Sequence, residues 1–479
     1  MTDTDSKVYD VVVIGAGPVG ENVADRTRAA GLTTAVVESE LVGGECSYWA
    51  CMPSKALLRP VIAHADARRT PGLRHLVEGP FDKAATAAVL AHRDYYTSHW
   101  KDDGQVEWLE SIGVDLYRGQ GRLDGPRRVT VEGPDGERQV LTARHAVVVS
   151  TGSRAVLPGL PGLDAVKPWT SREATSAEEA PGRLVVVGGG VVGVEMATAW
   201  QGLGSKVTLL VRGEGLLPRM EPFAGELVAQ ALAEAGADVR TGTSVEEVTR
   251  ENGTVVVVTD GGDRIEADEI LFATGRAPRT DDLGLDTVNL EPGSWLPVDD
   301  TLRVTDTDWL YAVGDVNHRA LLTHQGKYQA RIAGAAIVAR AAGAPLLTDP
   351  WGAHAATADH AAVPQVVFTD PEAAAVGLSL AEAEQAGHRV RAVDVDLGSV
   401  AGAGLYADGY QGRARMVVDL EREIVRGVTF VGPGVGELIH SATVAIAGEV
   451  PLGRLWHAVP AYPTISEVWL RLLEAFRDS

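Results

Sequence analysis

Cys46 and Cys51 are the only thiols in a chain of 479 residues. Two are too few for a disulfide scaffold or a cysteine-based zinc cage, and no metal site is expected. Two neighbouring thiols can instead carry redox chemistry, as a thiolate or as a reversible disulfide. They stand in Gly43-Gly44-Glu45-Cys46-Ser47-Tyr48-Trp49-Ala50-Cys51-Met52-Pro53-Ser54-Lys55. Positions five apart in a regular helix point in different directions, so a bond between these sulfurs requires distorted backbone. Pro53 suits the first turn of a helix, where its missing N–H costs nothing. The cysteines are therefore expected at a helix N-terminus, where the dipole favours a thiolate and Lys55 adds positive charge one turn on. The competing reading is two buried structural thiols, a common fate of free cysteine.

The elements that must position this pair begin just upstream. Val11-Val12-Val13-Ile14 is a continuous apolar run of the kind found in buried parallel strands. Gly15-Ala16-Gly17-Pro18-Val19-Gly20 follows, then a helical stretch to Ala30 stopped by Gly31, then a second strand over Thr33 to Val37, closed by Glu38. Strand, glycine turn, helix, strand and acid in that order form a dinucleotide-binding unit. Gly15 permits the tight turn, Gly17 lets backbone approach a pyrophosphate, and Gly20 lets helix and strand pack closely. The helix N-terminus favours phosphate, and Glu38 can bond a ribose hydroxyl.

The pattern recurs 173 residues later. Leu184 to Val187 is the strand, Gly188-Gly189-Gly190-Val191-Val192-Gly193 the turn, a helix runs to about Leu203, and Val207 to Val211 is the next strand. Gly188, Gly190 and Gly193 take the three glycine roles. The terminal acid is absent. Val211 stands in its place, with Arg212 next and Arg219 further on. Arginine suits a 2′-phosphate that an acid would repel, so the second site is expected to prefer NADPH, with NADH possible. A solvated arginine at a strand end is the competing reading.

Two dinucleotide units in one chain suggest a flavin and a nicotinamide exchanging hydride. Val147 to Ser153, including Gly152, and Ile270 to Arg276, including Gly275, are strands ending in small-residue turns. Leu310 to Asp315 is a third, and Gly314-Asp315 could meet a flavin's ribityl chain. Beyond Trp351 the texture changes. Gln365 to Phe368, Arg413 to Asp419 and Ile424 to Val431 are expected as strands, and Ser379 to Ala386, Gly436 to Ala447 and Thr464 to Phe476 as helices. That mixture predicts an α+β domain with another role, such as an interface. The stretches 124–136 and 260–264 are expected as hairpin loops. Lys and Arg total 43 against 65 Asp and Glu, a net charge of −22, which excludes nucleic-acid binding driven by phosphate contacts and disfavours anionic membranes. No apolar run reaches the ~20 residues of a membrane span, and residues 1–8 lack a signal-peptide pattern, so the expected location is the cytoplasm.

From the cysteine motif, both fingerprints, Ala273-Thr274-Gly275-Arg276, Gly314-Asp315 and Phe368-Thr369-Asp370-Pro371-Glu372, the chain resembles the class I pyridine nucleotide–disulfide oxidoreductases. These include dihydrolipoamide dehydrogenase, glutathione and mycothione reductases and mercuric reductase, and the resemblance runs from Tyr9 to about Ala475. It implies an α/β fold with two Rossmann-like domains: an FAD domain over 1–155 and 280–350 and an NAD(P)H domain over 156–279. It also implies a C-terminal α+β dimerisation domain over 351–479 and a homodimer. The resemblance assigns Cys46 to attack on a small-molecule acceptor and Cys51 to the thiolate beside the flavin. Lys55 and Glu195 match an ion pair near the flavin's reactive nitrogen, and Gly44 lies in the flavin-facing motif. One position departs from the pattern. Where disulfide reductases carry a histidine that works with a glutamate as acid–base, this chain has Tyr462, with Glu467 retained. Tyrosine titrates near pH ~10 and is a poor base at neutrality, though it can donate a hydrogen bond. The chain also lacks the extra C-terminal cysteine pair of mercuric reductases. The expectation is an FAD-dependent NADPH oxidoreductase acting on a small disulfide or another two-electron acceptor. The alternatives are an NAD(P)H:quinone or dye reductase with auxiliary cysteines, and a flavin-binding redox sensor with little turnover.

Overall fold

Val11, Val12 and Val13 are fully buried, as an apolar run must be when both faces of its sheet are covered. They lie in strand Ser6–Ile14 of a computed structural model that describes residues 6–77 and 79–479. The chain divides into two compact units. One comprises Met1–Met52, Asp94–Ala155 and Gly275–His360, and the other Pro53–Arg93, Val156–Thr274 and Ala361–Ser479.

In the first unit Ser6–Ile14 pairs in parallel with Thr34–Glu38 and with Arg138–Val149. Asp115–Arg118 extends the parallel set beyond Thr34–Glu38. The long strand Arg138–Val149 has two partners on its other edge. Its first half takes the antiparallel strand Arg128–Glu132, and its last three residues take Leu310–Ala312 in parallel. Val11 and Val13 pack with Val23 and Ala24 of helix Pro18–Ala29 and with Ala330, Ala333 and Ile337 of helix Thr323–Ala341. Val12 and Ile14 pack on the opposite face with Val147, Val149 and Leu310. The two helices cross where a Cβ on Gly326 would lie 2.5 Å from Val19, so only glycine fits.

The stretch 124–136 is not a single loop. Arg128–Glu132 within it is a strand, because its apolar residues Val129 and Val131 are buried against the sheet. The short turns on either side hold the Asp, Gly and Pro residues that suggested a loop. The 260–264 turn is as expected, joining the antiparallel strands Thr254–Thr259 and Arg264–Ala267.

The second unit holds a parallel sheet in the order Asp238–Arg240, Lys206–Leu210, Arg183–Val187, Glu269–Phe272. Helix Val191–Gly202 buries nearly its whole length, including Trp200. A five-stranded antiparallel sheet, in the order Pro364–Val367, Glu372–Gly377, Ile424–Gly432, Arg413–Asp419, Val390–Asp396, forms the C-terminal part of the unit. Helices Val435–Ala447 and Val468–Asp478 pack on it. The expected helix over Thr464 to Phe476 starts later, at Val468, after a 3₁₀ turn Ile465–Glu467. Among the described residues no helix is long and apolar enough to cross a membrane.

Candidate active site

The backbone between the cysteines is distorted as their spacing requires. Cys46 lies in the short helix Gly44–Tyr48 and Cys51 opens helix Cys51–Arg69, with Trp49 at φ −136° and ψ 0° ending the first. Gly43 and Gly44 both take left-handed backbone, and a Cβ on Gly44 would stand 2.8 Å from the Cα of Gly17. The turn carrying Cys46 thus lies directly on the first glycine fingerprint. Neither cysteine is in a disulfide, and both are half-buried. The Cys46 thiol is pushed well above its ordinary range, first by its hydrogen bond with Cys51 and then by burial. Two sulfurs that share one proton cannot both ionise cheaply. The Thr323 hydroxyl and the Lys327 ammonium act in the opposite sense on Cys46. Thr323 Oγ1 is also 3.2 Å from Cys51 Sγ.

The two glycine fingerprints have the same geometry. Gly15 has φ +102° and Gly188 +122°, and a Cβ on either would lie 2.4 Å from a facing carbonyl oxygen, that of Ser150 or Ala273. A Cβ on Gly20 would lie 1.9 Å from the Gly15 oxygen, and one on Gly193 the same distance from the Gly188 oxygen. Gly17 and Gly190, by contrast, face open space. Each is the N-cap of its helix and neither helix has a side-chain cap, so the first-turn N–H groups are left for another acceptor. Two glycines in each turn allow close packing within the protein, and the one between them keeps clear the place where a pyrophosphate would approach.

The rest of the first unit suits a flavin dinucleotide. Glu38, at the end of its strand, accepts from the Ala16 and Glu40 N–H groups at 2.7 and 2.8 Å. Burial raises its pKa, with those two bonds opposing. Asp315 accepts from Ser153 Oγ at 2.5 Å, and Ser153 Oγ in turn accepts from Arg276 Nε at 2.6 Å. Burial raises the Asp315 pKa against Ser153 and Arg276. Gly314, at φ +77°, donates its N–H to Gln329 Oε1 at 2.8 Å. Gly152 and Gly275 are left-handed with open space before them. Glu45 lies 3.5 Å from Arg279 and 3.8 Å from Arg276, so the residue before Cys46 is tied to the same network. A partly buried acid, Glu21, keeps one carboxylate oxygen buried without a hydrogen bond among the described residues. Its pKa is pushed up to about 7 by burial.

In the second unit Lys55 Nζ is 2.8 Å from Glu195 Oε2, and the Glu195 side chain is 4% exposed. Its other oxygen accepts the Phe368 N–H at 3.0 Å, and the Lys55 ammonium lies 4.9 Å from the Phe368 ring centroid. Glu195 is therefore satisfied on both oxygens, as a buried carboxylate must be. Arg212 and Arg219 are exposed on the loop after strand Lys206–Leu210 and have no ion pair or hydrogen bond among the described residues.

Tyr462 and Glu467 are not brought together. Tyr462 is 76% exposed with no hydrogen bond among the described residues. Glu467 is buried, accepts from Arg471 at 2.6 Å on one oxygen, and has no hydrogen-bond partner for the other among the described residues. Sequence reasoning missed Thr323, Ser153 and the role of Phe368. Each acts through a residue more than 120 positions away, and no local pattern signals that.

Residues 9–342 match the pyridine nucleotide-disulphide oxidoreductase family, and residues 363–472 match that family's dimerisation domain. The chain is 34% identical to a dihydrolipoyl dehydrogenase of Thermus scotoductus, over 98% of this chain and 97% of the relative. It is 33% identical to a mercuric reductase of Shigella flexneri, over 96% of this chain and 80% of that protein. Two solved structures share the fold with a TM-score of 0.82. They are the HOCl-induced flavoprotein disulfide reductase RclA of Escherichia coli, at 23% identity over 97% of this chain and 99% of that one, and LpdA of Mycobacterium tuberculosis, at 25% over 98% and 99%. With two matching glycine cradles and one dithiol at a helix break, the chain belongs to the pyridine nucleotide-disulphide oxidoreductases, FAD-dependent enzymes that pass electrons from a nicotinamide to a disulfide.

Proposed function

We propose that this enzyme prefers NADPH and delivers electrons through a Cys46–Cys51 disulfide to a small disulfide acceptor. The observation that carries the reading is the dithiol set against the first glycine fingerprint, in a chain with no other cysteine. The first-turn N–H groups after Gly17 would hold the flavin's pyrophosphate, Glu38 its adenosine ribose, and Asp315 its ribityl chain. Gly152 and Gly275 would give backbone clearance, and Gly44 and Gly314 close packing against Gly17 and Val19 beside the first fingerprint. Bound there, FAD supplies two-electron transfer between a nicotinamide and the cysteine pair. Gly188, Gly190 and Gly193 would hold the nicotinamide dinucleotide, with Arg212 and Arg219 on its 2′-phosphate.

Cys51 keeps the thiolate and Cys46 attacks the acceptor. Lys55, fixed by Glu195, would supply the positive charge of the family's ion pair. Tyr462 donates a hydrogen bond rather than cycling a proton, and Glu467 anchors its segment. We assign the FAD domain to 1–155 and 280–350, the NAD(P)H domain to 156–279 and dimerisation to 351–479. Exposed Leu405, Val444, Trp456 and Val459 in the last suit contact with a second copy. A cytoplasmic location suits thiols that must stay reducible.

Tyr462 favours one competitor. Without a histidine, a departing thiolate lacks its usual acid, whereas a quinone taking electrons from the flavin would leave the thiols auxiliary. A turnover panel of small disulfides and quinones with NADPH separates the two. The proposal expects a disulfide to give the highest kcat/KM. Quinones turned over faster than every disulfide would transfer the assignment to a quinone reductase.

A further inference from the structure

Helix Thr323–Ala341 presents two different sides at its first turns. Thr323 and Lys327 are one turn apart on one side, and Gln325 and Gln329 are one turn apart on another. The first pair faces the cysteines. Thr323 Oγ1 lies 3.2 Å from Cys51 Sγ, and both Thr323 and Lys327 act electrostatically on Cys46. The second pair is clamped. Gln325 and Gln329 donate to the two carboxylate oxygens of buried Asp359, at 2.6 and 2.9 Å. Gln329 Oε1 also accepts from the Gly314 N–H and from Asn317 Nδ2, both at 2.8 Å. A fully buried side chain with that many partners fixes the rotation of its helix, and with it the direction of the Thr323 hydroxyl.

We propose that Thr323 donates its hydroxyl proton to the Cys51 sulfur whenever that sulfur is a thiolate, and that the Asp359 clamp holds the helix turn in place for it. The proposal rests on the reading of Cys46 and Cys51 as the redox pair. A hydrogen bond to the charged form favours that form. The helix itself has no side-chain cap at Leu322, so its first-turn dipole adds in the same direction. The charged or titratable groups acting on Cys46 are its partner Cys51 and Lys327 on this helix. Glu21, on helix Pro18–Ala29, opposes Lys327.

The test uses the full chain with matched flavin content, in a Cys46→Ser background, so that Cys51 is the only thiol. The rate of alkylation by iodoacetamide is followed against pH. Thr323→Val, which replaces the hydroxyl with a methyl, should raise the apparent pKa of Cys51 by about one unit, a tenfold change in ionisation. Thr323→Ser should return it to the parental value. Should valine prevent folding, Thr323→Ala removes the hydroxyl without adding bulk and should give the same shift. An unchanged Cys51 pKa in the folded Val or Ala variant overturns the proposal. The measurement reads the thiol and not turnover, so it stands even if NADPH never opens the Cys46–Cys51 pair, a result that would defeat only the redox reading.

Discussion

Replacing Cys46 with serine should cut disulfide reduction by roughly a thousandfold or more in kcat while leaving the protein folded. A serine hydroxyl does not ionise at neutral pH, cannot form the mixed disulfide with an acceptor, and cannot close an internal disulfide afterwards. Cys51→Ser should cost as much, because the pair works as a unit and removing either member breaks the same cycle. The fold should survive both changes. Each cysteine is half-buried, and its contacts are hydrogen bonds that a hydroxyl can also make. Steady-state turnover with a disulfide and with a quinone, on both variants, checks this. If disulfide turnover is retained in Cys46→Ser, the cysteine route is wrong. If quinone turnover alone is retained, it measures how much traffic bypasses the thiols.

The second large effect is expected on the nicotinamide side. Reversing both loop cations, in an Arg212→Glu and Arg219→Glu double variant, should change the NADPH to NADH preference by roughly 30- to 100-fold in kcat/KM. Charge-assisted bonds to a phosphate contribute about 1.5–3 kcal/mol each before solvent screening, and every 1.4 kcal/mol is tenfold. Both side chains are exposed, so the sum is discounted to about 2–3 kcal/mol. Both arginines are changed together because either alone could hold the 2′-phosphate. The loss should fall on NADPH, with NADH almost unaffected, and should shrink at high salt. Equal losses for both nucleotides would point to a damaged loop. An unchanged ratio would place the 2′-phosphate elsewhere.

The parts of this molecule that repeat a local pattern were legible in its sequence. Two strand–glycine–helix units could be recognised because close backbone packing permits only glycine at Gly15, Gly20, Gly188 and Gly193. The helix break between the cysteines followed from their spacing, and the Lys55–Glu195 pair from resemblance. What remained hidden depends on contacts between distant segments. Ser153 bridges Asp315 and Arg276, Phe368 supplies a backbone N–H to Glu195, and Thr323 meets Cys51 across 272 positions. The strand Arg128–Glu132 was concealed for the opposite reason. Dense turn residues on both sides outweighed its short apolar alternation. Tyr462 and Glu467 were paired by resemblance alone, and in the protomer Glu467 turns instead to Arg471.

The central claim is that Cys46 and Cys51 form a disulfide that NADPH opens. A thiol count tests it most directly, because every thiol in this chain belongs to the pair. The air-oxidised enzyme, unfolded in denaturant with a thiol reagent, should show no thiols per chain. After anaerobic reduction with excess NADPH, removed before denaturation, it should show two. Two thiols with or without NADPH, or none in either state, would contradict the account.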